Sequence, residues 1–139
     1  MSRKQSRITA FKLIYAGEHS DGFIDLYDEG TLRIIGEGEL PMQGPEVEYI
    51  KNLCDAVSNN ISDIDEIIDM NSANFEIARI AKVELAVLRL CIAEMMFTET
   101  SNVVVVSEGV DIAKKYGNEN SGEFVNGLLR KISENVDKV

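Results

Sequence analysis

Arg3, Lys4 and Arg7 open the chain within little more than one helical turn, Lys12 follows, and no acidic residue appears before Glu18. Spacings of one, three and four residues gather side chains on one helical surface. A row of guanidinium and ammonium groups there binds phosphate through charge-assisted hydrogen bonds. The spacing therefore predicts a cationic strip on the exposed side of a first helix, near its start. Its position is locally unfavourable, because cations at a helix N-terminus oppose the macrodipole by roughly a few tenths of a kcal/mol each. Such a choice invites a functional reading, anion binding, although a merely solvated helix face fits the same spacing.

Other reactive residue types are scarce. His19 is the single histidine, in the polar stretch Glu18-His19-Ser20-Asp21, so a Ser-His-Asp or Cys-His mechanism has no second imidazole to turn to. Cys54 and Cys91 stand at apolar positions of helix-like segments with no CxxC pair; they are predicted to be reduced, buried thiols that pack as small hydrophobes. Zinc needs three or four convergent ligands, which this supply does not provide. No metal or cofactor is expected. Among the carboxylates, Asp63, Asp65 and Glu66 form the closest set, and neighbouring acids of this kind are more often a solvated helix end than an acid-base pair. The expectation is a binding protein rather than an enzyme.

The chain has 139 residues, enough for one domain, with 24 acidic against 14 basic residues and a net charge of −10. That total argues against non-specific nucleic-acid binding. Its distribution matters more, since all 24 acids lie beyond the first four bases, giving an acidic body with a basic N-terminal edge. Hydrophobic residues make up 45% and charged residues 27%, a globular composition. No segment approaches the roughly 20 apolar residues of a membrane helix. MSRKQSRITAFKLIY lacks the apolar core and cleavage site of a secretory signal, so a cytoplasmic location is expected.

The elements that must position the cations follow from apolar spacing. Ile8, Phe11, Ile14 and Tyr15 mark one face of a first helix that ends near Gly17. Residues 17 to 44 are rich in Gly and acids around the short apolar run Leu32 to Ile35, and read as a long, partly ordered connection. Pro45 opens a second helix with Val47, Ile50, Leu53 and Val57 on one face, ended by Asn59 and Asn60. Ile61, Ile64, Ile67 and Ile68 continue as a third, broken at Met70-Asn71-Ser72. From Asn74 to Thr98 the pattern predicts one central helix, apolar on more than one side, with Arg79, Lys82, Glu84, Arg89 and Glu94 marking the faces that escape the core. Val103 to Val106 resembles a strand without a partner and reads as an extended approach to a helix capped by Ser107 and closed by Gly117. A last helix, capped by Asn120 or Ser121, buries Phe124, Val125, Leu128, Leu129 and Ile132. The class is all-α.

VELAVLRLCIAEM at 83 to 95, SEGVDIAKKYG at 107 to 117 and NSGEFVNGLLRKI at 120 to 132 together resemble, in order and spacing, the C-terminal half of the NusB family. Arg7, Ala10, Leu13 and Tyr15 resemble its first helix. The likeness covers both ends and most of the chain, and is weakest over residues 17 to 50. It implies two packed three-helix bundles in one domain of 1 to 139, divided near residue 72, with no cofactor. It also implies a transcription antitermination factor that binds the single-stranded boxA element of nascent RNA as a heterodimer with NusE, a small-subunit ribosomal protein. That complex joins RNA polymerase and supports transcription of ribosomal RNA operons. Whether the free chain pairs with a second copy is left open.

Carried over residue by residue, the resemblance implies an RNA surface of Arg3, Lys4 and Arg7 with Asn120, Phe124 and Asn126, and a NusE surface including Tyr15 and Glu84. An aromatic beside cations suits single-stranded RNA, whose bases stack while its phosphates are paired. Phe124 also has the spacing of a core residue, Asn126 and Gly127 that of packing residues, and Glu84 that of a solvated acid. Two departures stand out. Lys4 occupies a position where arginine is usual, which removes a bidentate phosphate contact, and TETSNVVVV at 98 to 106 lacks the family's frequent proline. A NusB-like protein-interaction module without RNA function is the competing reading.

Overall fold

The computed structural model describes residues 2–17, 44–72 and 76–138. His19 and nearly all of the connection read over 17 to 44 lie outside them. The described residues form six α-helices and no strand: α1 (Arg3–Gly17), α2 (Pro45–Asn59), α3 (Ile61–Asn71), α4 (Lys82–Phe97), α5 (Asn102–Tyr116) and α6 (Ser121–Ser133).

Ser2 and Gln5 open α1 reciprocally. Gln5 N donates to Ser2 Oγ at 3.1 Å and Ser2 N to Gln5 Oε1 at 3.2 Å, a capping box that satisfies two orphan donors and offsets the cationic start. The stripes expected in α2 and α6 are buried as read, Val47, Ile50, Leu53 and Val57 in the first and Val125, Leu128, Leu129 and Ile132 in the second. Phe124 is only half-buried, packed against the core from its edge.

Helix α4 is the hub. It packs against all five other helices, and its residues Glu84 to Met95 are buried without a break, as a helix inside a bundle must be. α1–α3 and α4–α6 are the two packed bundles, with α4 at the seam. Both cysteines are free and buried. Burial pushes the Cys91 thiol far up, so it packs as an apolar group and is not a nucleophile. At Gly109 of α5, an added Cβ would stand 2.5 Å from Cys91 Sγ and 3.1 Å from Leu129 Cδ1; the absence of a side chain there lets α5 close onto α4 and α6.

Two expectations about boundaries are corrected. The central helix begins at Lys82 rather than Asn74, which lies outside the described residues; Ile77–Arg79 is a single 3₁₀ turn, and Ile80 and Ala81 are extended. Val103 to Val106 is helical, inside α5, whose cap is Ser101, its side chain accepting from Val104 N at 3.4 Å. Ser107 is mid-helix. Gly127, read as a packing residue, is exposed with open space around its Cα.

A candidate nucleic-acid and partner surface

The basic edge is not a free strip. Arg3 donates from Nε and Nη2 to the two carboxylate oxygens of Glu46 at 3.0 and 2.9 Å, a bidentate pair. Its guanidinium also lies 3.6 Å over the Tyr49 ring. Lys4 Nζ donates to Glu108 and Asp111 of α5, each at 3.3 Å. The Arg3 bonds, joined by one from Ser6, hold the Glu46 carboxyl below the usual carboxylate range. Lys4 is held above the usual ammonium range by its bonds to Glu108 and Asp111. Two exposed cations are thus met by three carboxylates, and an anionic ligand at this edge has to displace them.

Arg7 is the main correction. Expected on the exposed side, it is 6% exposed, its Nε donating to both carboxylate oxygens of Glu94 at 2.9 Å with Nη2 2.8 Å from Oε2. Glu94, itself 1% exposed, also accepts from the Tyr49 hydroxyl at 2.6 Å. The physical reason is position along the helix. Arg3 and Lys4 precede Arg7 by four and three residues and share its face, but they stand in the first turn of α1, whereas Arg7, a turn further in, is flanked by Ser6, Thr9, Ala10 and Phe11, all buried. Arg89 does the same between α4 and α3, donating to the two oxygens of Asp65 at 2.9 and 2.8 Å. Arg89, Glu94 and Glu84, the last 9% exposed, therefore do not mark faces outside the core. The signal was present in the sequence: charges in a helix apolar on every side have no exposed face to occupy.

The remaining candidates fall into two groups. Asn126 lines a groove of about 590 Å³ between α5 and α6 that Asp111 also lines, so the groove meets the Lys4 edge at Asp111. Asn120, exposed, and Phe124 lie at the N-terminal end of the same helix. Tyr15 is half-buried on the other side of α1, where it lines a recess of about 310 Å³ with Tyr116, Lys82 and Val83. Phe11 stacks against both tyrosines, with ring centroids at 6.2 and 5.2 Å. Glu84, next in sequence to Val83, does not line the recess and is 9% exposed. Among the described residues no group of three His, Cys, Asp or Glu side chains is placed to hold a metal, and no helix is long and apolar enough to cross a membrane. Sequence reasoning missed Glu46, Glu108 and Asp111, because pairing across 43, 104 and 107 residues leaves no local pattern.

Comparison with known proteins closes the question of kinship. The model of the NusB family matches residues 4–134. A transcription antitermination protein NusB of Ruminiclostridium cellulolyticum is 36% identical over 96% of this chain and 90% of its own length; one of Natranaerobius thermophilus is 29% identical over 99% of each chain. Among solved structures, the crystal structure of antitermination factors NusB and NusE in complex with dsRNA superposes with a TM-score of 0.81, at 32% identity, over 96% of this chain and 97% of the matched one. In length, helix order and sequence, the chain belongs to the NusB family.

Proposed function

We propose that this chain is a transcription antitermination factor, non-catalytic, that binds boxA-type single-stranded RNA as a heterodimer with NusE within an RNA polymerase complex on ribosomal RNA operons. The observation that carries this reading is its near full-length likeness to a family member solved with both NusE and RNA. Arg3 and Lys4 take phosphates, with Asn120, Phe124 and Asn126 toward the bases. Arg7, buried, does not touch the RNA but holds Glu94, which in turn accepts from the Tyr49 hydroxyl. The acidic body suits a basic ribosomal protein, with the Tyr15 recess as its anchor and Glu84 beside it.

The test is the affinity of a boxA-type RNA for the chain, with and without NusE, at two salt concentrations. RNA binding is expected to be strongest with NusE. If Arg3 and Lys4 each neutralise one phosphate, they contribute about −1.4 to the log-log salt slope. Because Glu108 and Asp111 compete with phosphate for Lys4, the double variant Glu108→Gln, Asp111→Asn is expected to bind RNA roughly three- to tenfold more tightly at low salt. The gain should shrink as salt screens the charges. The pre-neutralised edge also favours a second reading, a protein-interaction module without RNA function. Tight NusE binding with no RNA bound by the complex, in wild type and double variant alike, establishes that module and ends the first reading.

For the partner surface, Tyr15→Asp is expected to weaken NusE binding by about tenfold, since it removes an aromatic anchor and leaves a bare charge in the recess. Circular dichroism should be unchanged, because Tyr15 is only half-buried, at the edge of the core. Unaltered NusE affinity removes the recess from the interface.

A further inference from the structure

Arg3 uses its guanidinium in two directions at once. Its in-plane N–H groups, Nε and Nη2, donate to the two carboxylate oxygens of Glu46 at 3.0 and 2.9 Å, while Cζ lies 3.6 Å over the centre of the Tyr49 ring. That is van der Waals separation, so the cation meets the ring with its face. Hydrogen bonds leave a guanidinium in its plane, whereas the ring quadrupole attracts it from above. The two contacts therefore do not compete, and the anion in the fork can be exchanged without lifting Arg3 from the ring. The ring has its own support. Its hydroxyl donates to Glu94 Oε2 at 2.6 Å and lies 3.4 Å from Thr100 Oγ1, and Glu94 is clamped by Arg7. Tyr49 is thus half-buried against the core, fixed by its hydroxyl and offering a face to Arg3. Glu46 is the replaceable partner. Its side chain is 22% exposed, and outside the fork it keeps the Ser6 hydroxyl, which donates to it at 2.8 Å. It also keeps its place in the first turn of α2, where the helix macrodipole favours an acid.

We infer that Tyr49 is a positioning residue for RNA binding: its ring holds the Arg3 guanidinium at the basic edge while a backbone phosphate takes the place of the Glu46 carboxylate in the fork. The inference rests on the function proposed above and deepens it, naming what keeps Arg3 in place when its resting partner is displaced. Phosphate offers the same pair of acceptor oxygens as a carboxylate, so it accepts both N–H groups of the fork. The stack matters for affinity because it restricts a long side chain before the RNA arrives, and less rotamer freedom is then lost on binding. An aromatic ring also carries no net charge to oppose a phosphate, which makes it a better support than a carboxylate for a cation at an RNA contact.

The fold uses the Tyr49 hydroxyl and the inferred role uses its ring face, so the two are separable by substitution. The experiment measures fluorescence anisotropy of a labelled boxA-type RNA with the chain in complex with NusE. It compares wild type with Tyr49→Phe, Tyr49→Leu, Arg3→Ala and the double variant Tyr49→Leu, Arg3→Ala. Tyr49→Leu removes the ring and is expected to weaken RNA binding about three- to tenfold, the range of a cation–π contact. Its salt slope should be unchanged, because Arg3 still neutralises its phosphate. Tyr49→Phe keeps the ring and is expected to bind RNA within about twofold of wild type, although its unfolding midpoint falls with the lost Glu94 bond. Arg3→Ala should weaken binding at least as much as Tyr49→Leu and make the slope shallower by about 0.7. Adding Tyr49→Leu to it should weaken binding no further, since Tyr49 acts through Arg3. In the wild-type protein, the Arg3 side-chain resonances should carry the ring-current shift of Tyr49 both before and after RNA is added. Wild-type RNA affinity in Tyr49→Leu, a loss in Tyr49→Phe as large as in Tyr49→Leu, or an effect of Tyr49→Leu that persists undiminished without Arg3 each overturn the inference and leave the proposed function standing. So does a ring-current shift that vanishes when RNA binds. A wild-type complex that binds no RNA removes both readings together.

Discussion

Arg7→Ala is expected to destabilise the fold by about 3 to 5 kcal/mol, the usual consequence of removing one partner of a buried ion pair. The pair itself contributes little net stability, because desolvating both groups offsets most of their attraction. Its loss is asymmetric. Without Arg7, Glu94 keeps only the Tyr49 hydroxyl at 2.6 Å and stands as a nearly uncompensated charge between α1 and α4. Glu94→Gln should cost somewhat less, leaving Arg7 with a neutral acceptor in place of a carboxylate. The double replacement Arg7→Met, Glu94→Leu should recover most of the loss, because neither charge is then buried alone. Urea unfolding measures this through the midpoint at constant slope. A loss below about 1 kcal/mol for Arg7→Ala would mean that the pair is open to water, and the register given to α1 would have to be abandoned.

Gly109→Ala is the second large expected effect, and its sign is contested by two rules. Helix propensity favours alanine by about 1 kcal/mol in a helix interior. Packing opposes it, since the new Cβ would stand 2.5 Å from Cys91 Sγ and 3.1 Å from Leu129 Cδ1, and overpacking of a closed core costs about 1 to 3 kcal/mol. We expect packing to win, because Cys91 is itself enclosed, donating to Val105 O at 3.8 Å, and cannot swing away. The discriminating measurement is the double variant Gly109→Ala, Cys91→Ala. Removing the sulfur opens the space that the new methyl fills, so the pair should be less destabilised than the sum of its singles by more than about 0.5 kcal/mol. A stabilised Gly109→Ala protein would show that α5 stands off from α4 farther than described.

How much of this was legible depended on whether a residue's environment was set by its neighbours in sequence or by distant ones. The stripe Val47, Ile50, Leu53 and Val57 behind Pro45 is a local pattern and reads directly. The four valines at 103 to 106 mislead because β-branched residues favour strands. What decides there is Ser101 as a cap and Val105 fully buried, a tertiary contact that outweighs a propensity difference of a few tenths of a kcal/mol per residue. The late start of α4 carries no glycine or proline to announce it. Arg3, Lys4 and Arg7 read as one unit because their spacing puts them on one helical face; what separates Arg7 is its place a turn deeper in α1, beside the buried Glu94 of α4. In the candidate site, the residue types were legible and their partners were not, since Glu46, Glu94, Glu108 and Asp111 reach the cations only through the packing of other helices.

Helix α4, enclosed by the other five, makes the two bundles one cooperative unit. A fragment holding only α1 to α3 lacks the surface they were shaped to cover, and one holding only α4 to α6 leaves the apolar side of α4 in water. The buried residues of both bundles form one continuous cluster through α4, so opening should be all-or-none rather than bundle by bundle. Backbone amides of α4 then exchange with solvent only through global unfolding, whereas those at the start of α1 exchange through local fraying. A ligand that draws Arg3 away from Glu46 acts on the least protected end of the molecule, and Tyr49, bonded to Glu94, connects that end to the most protected one.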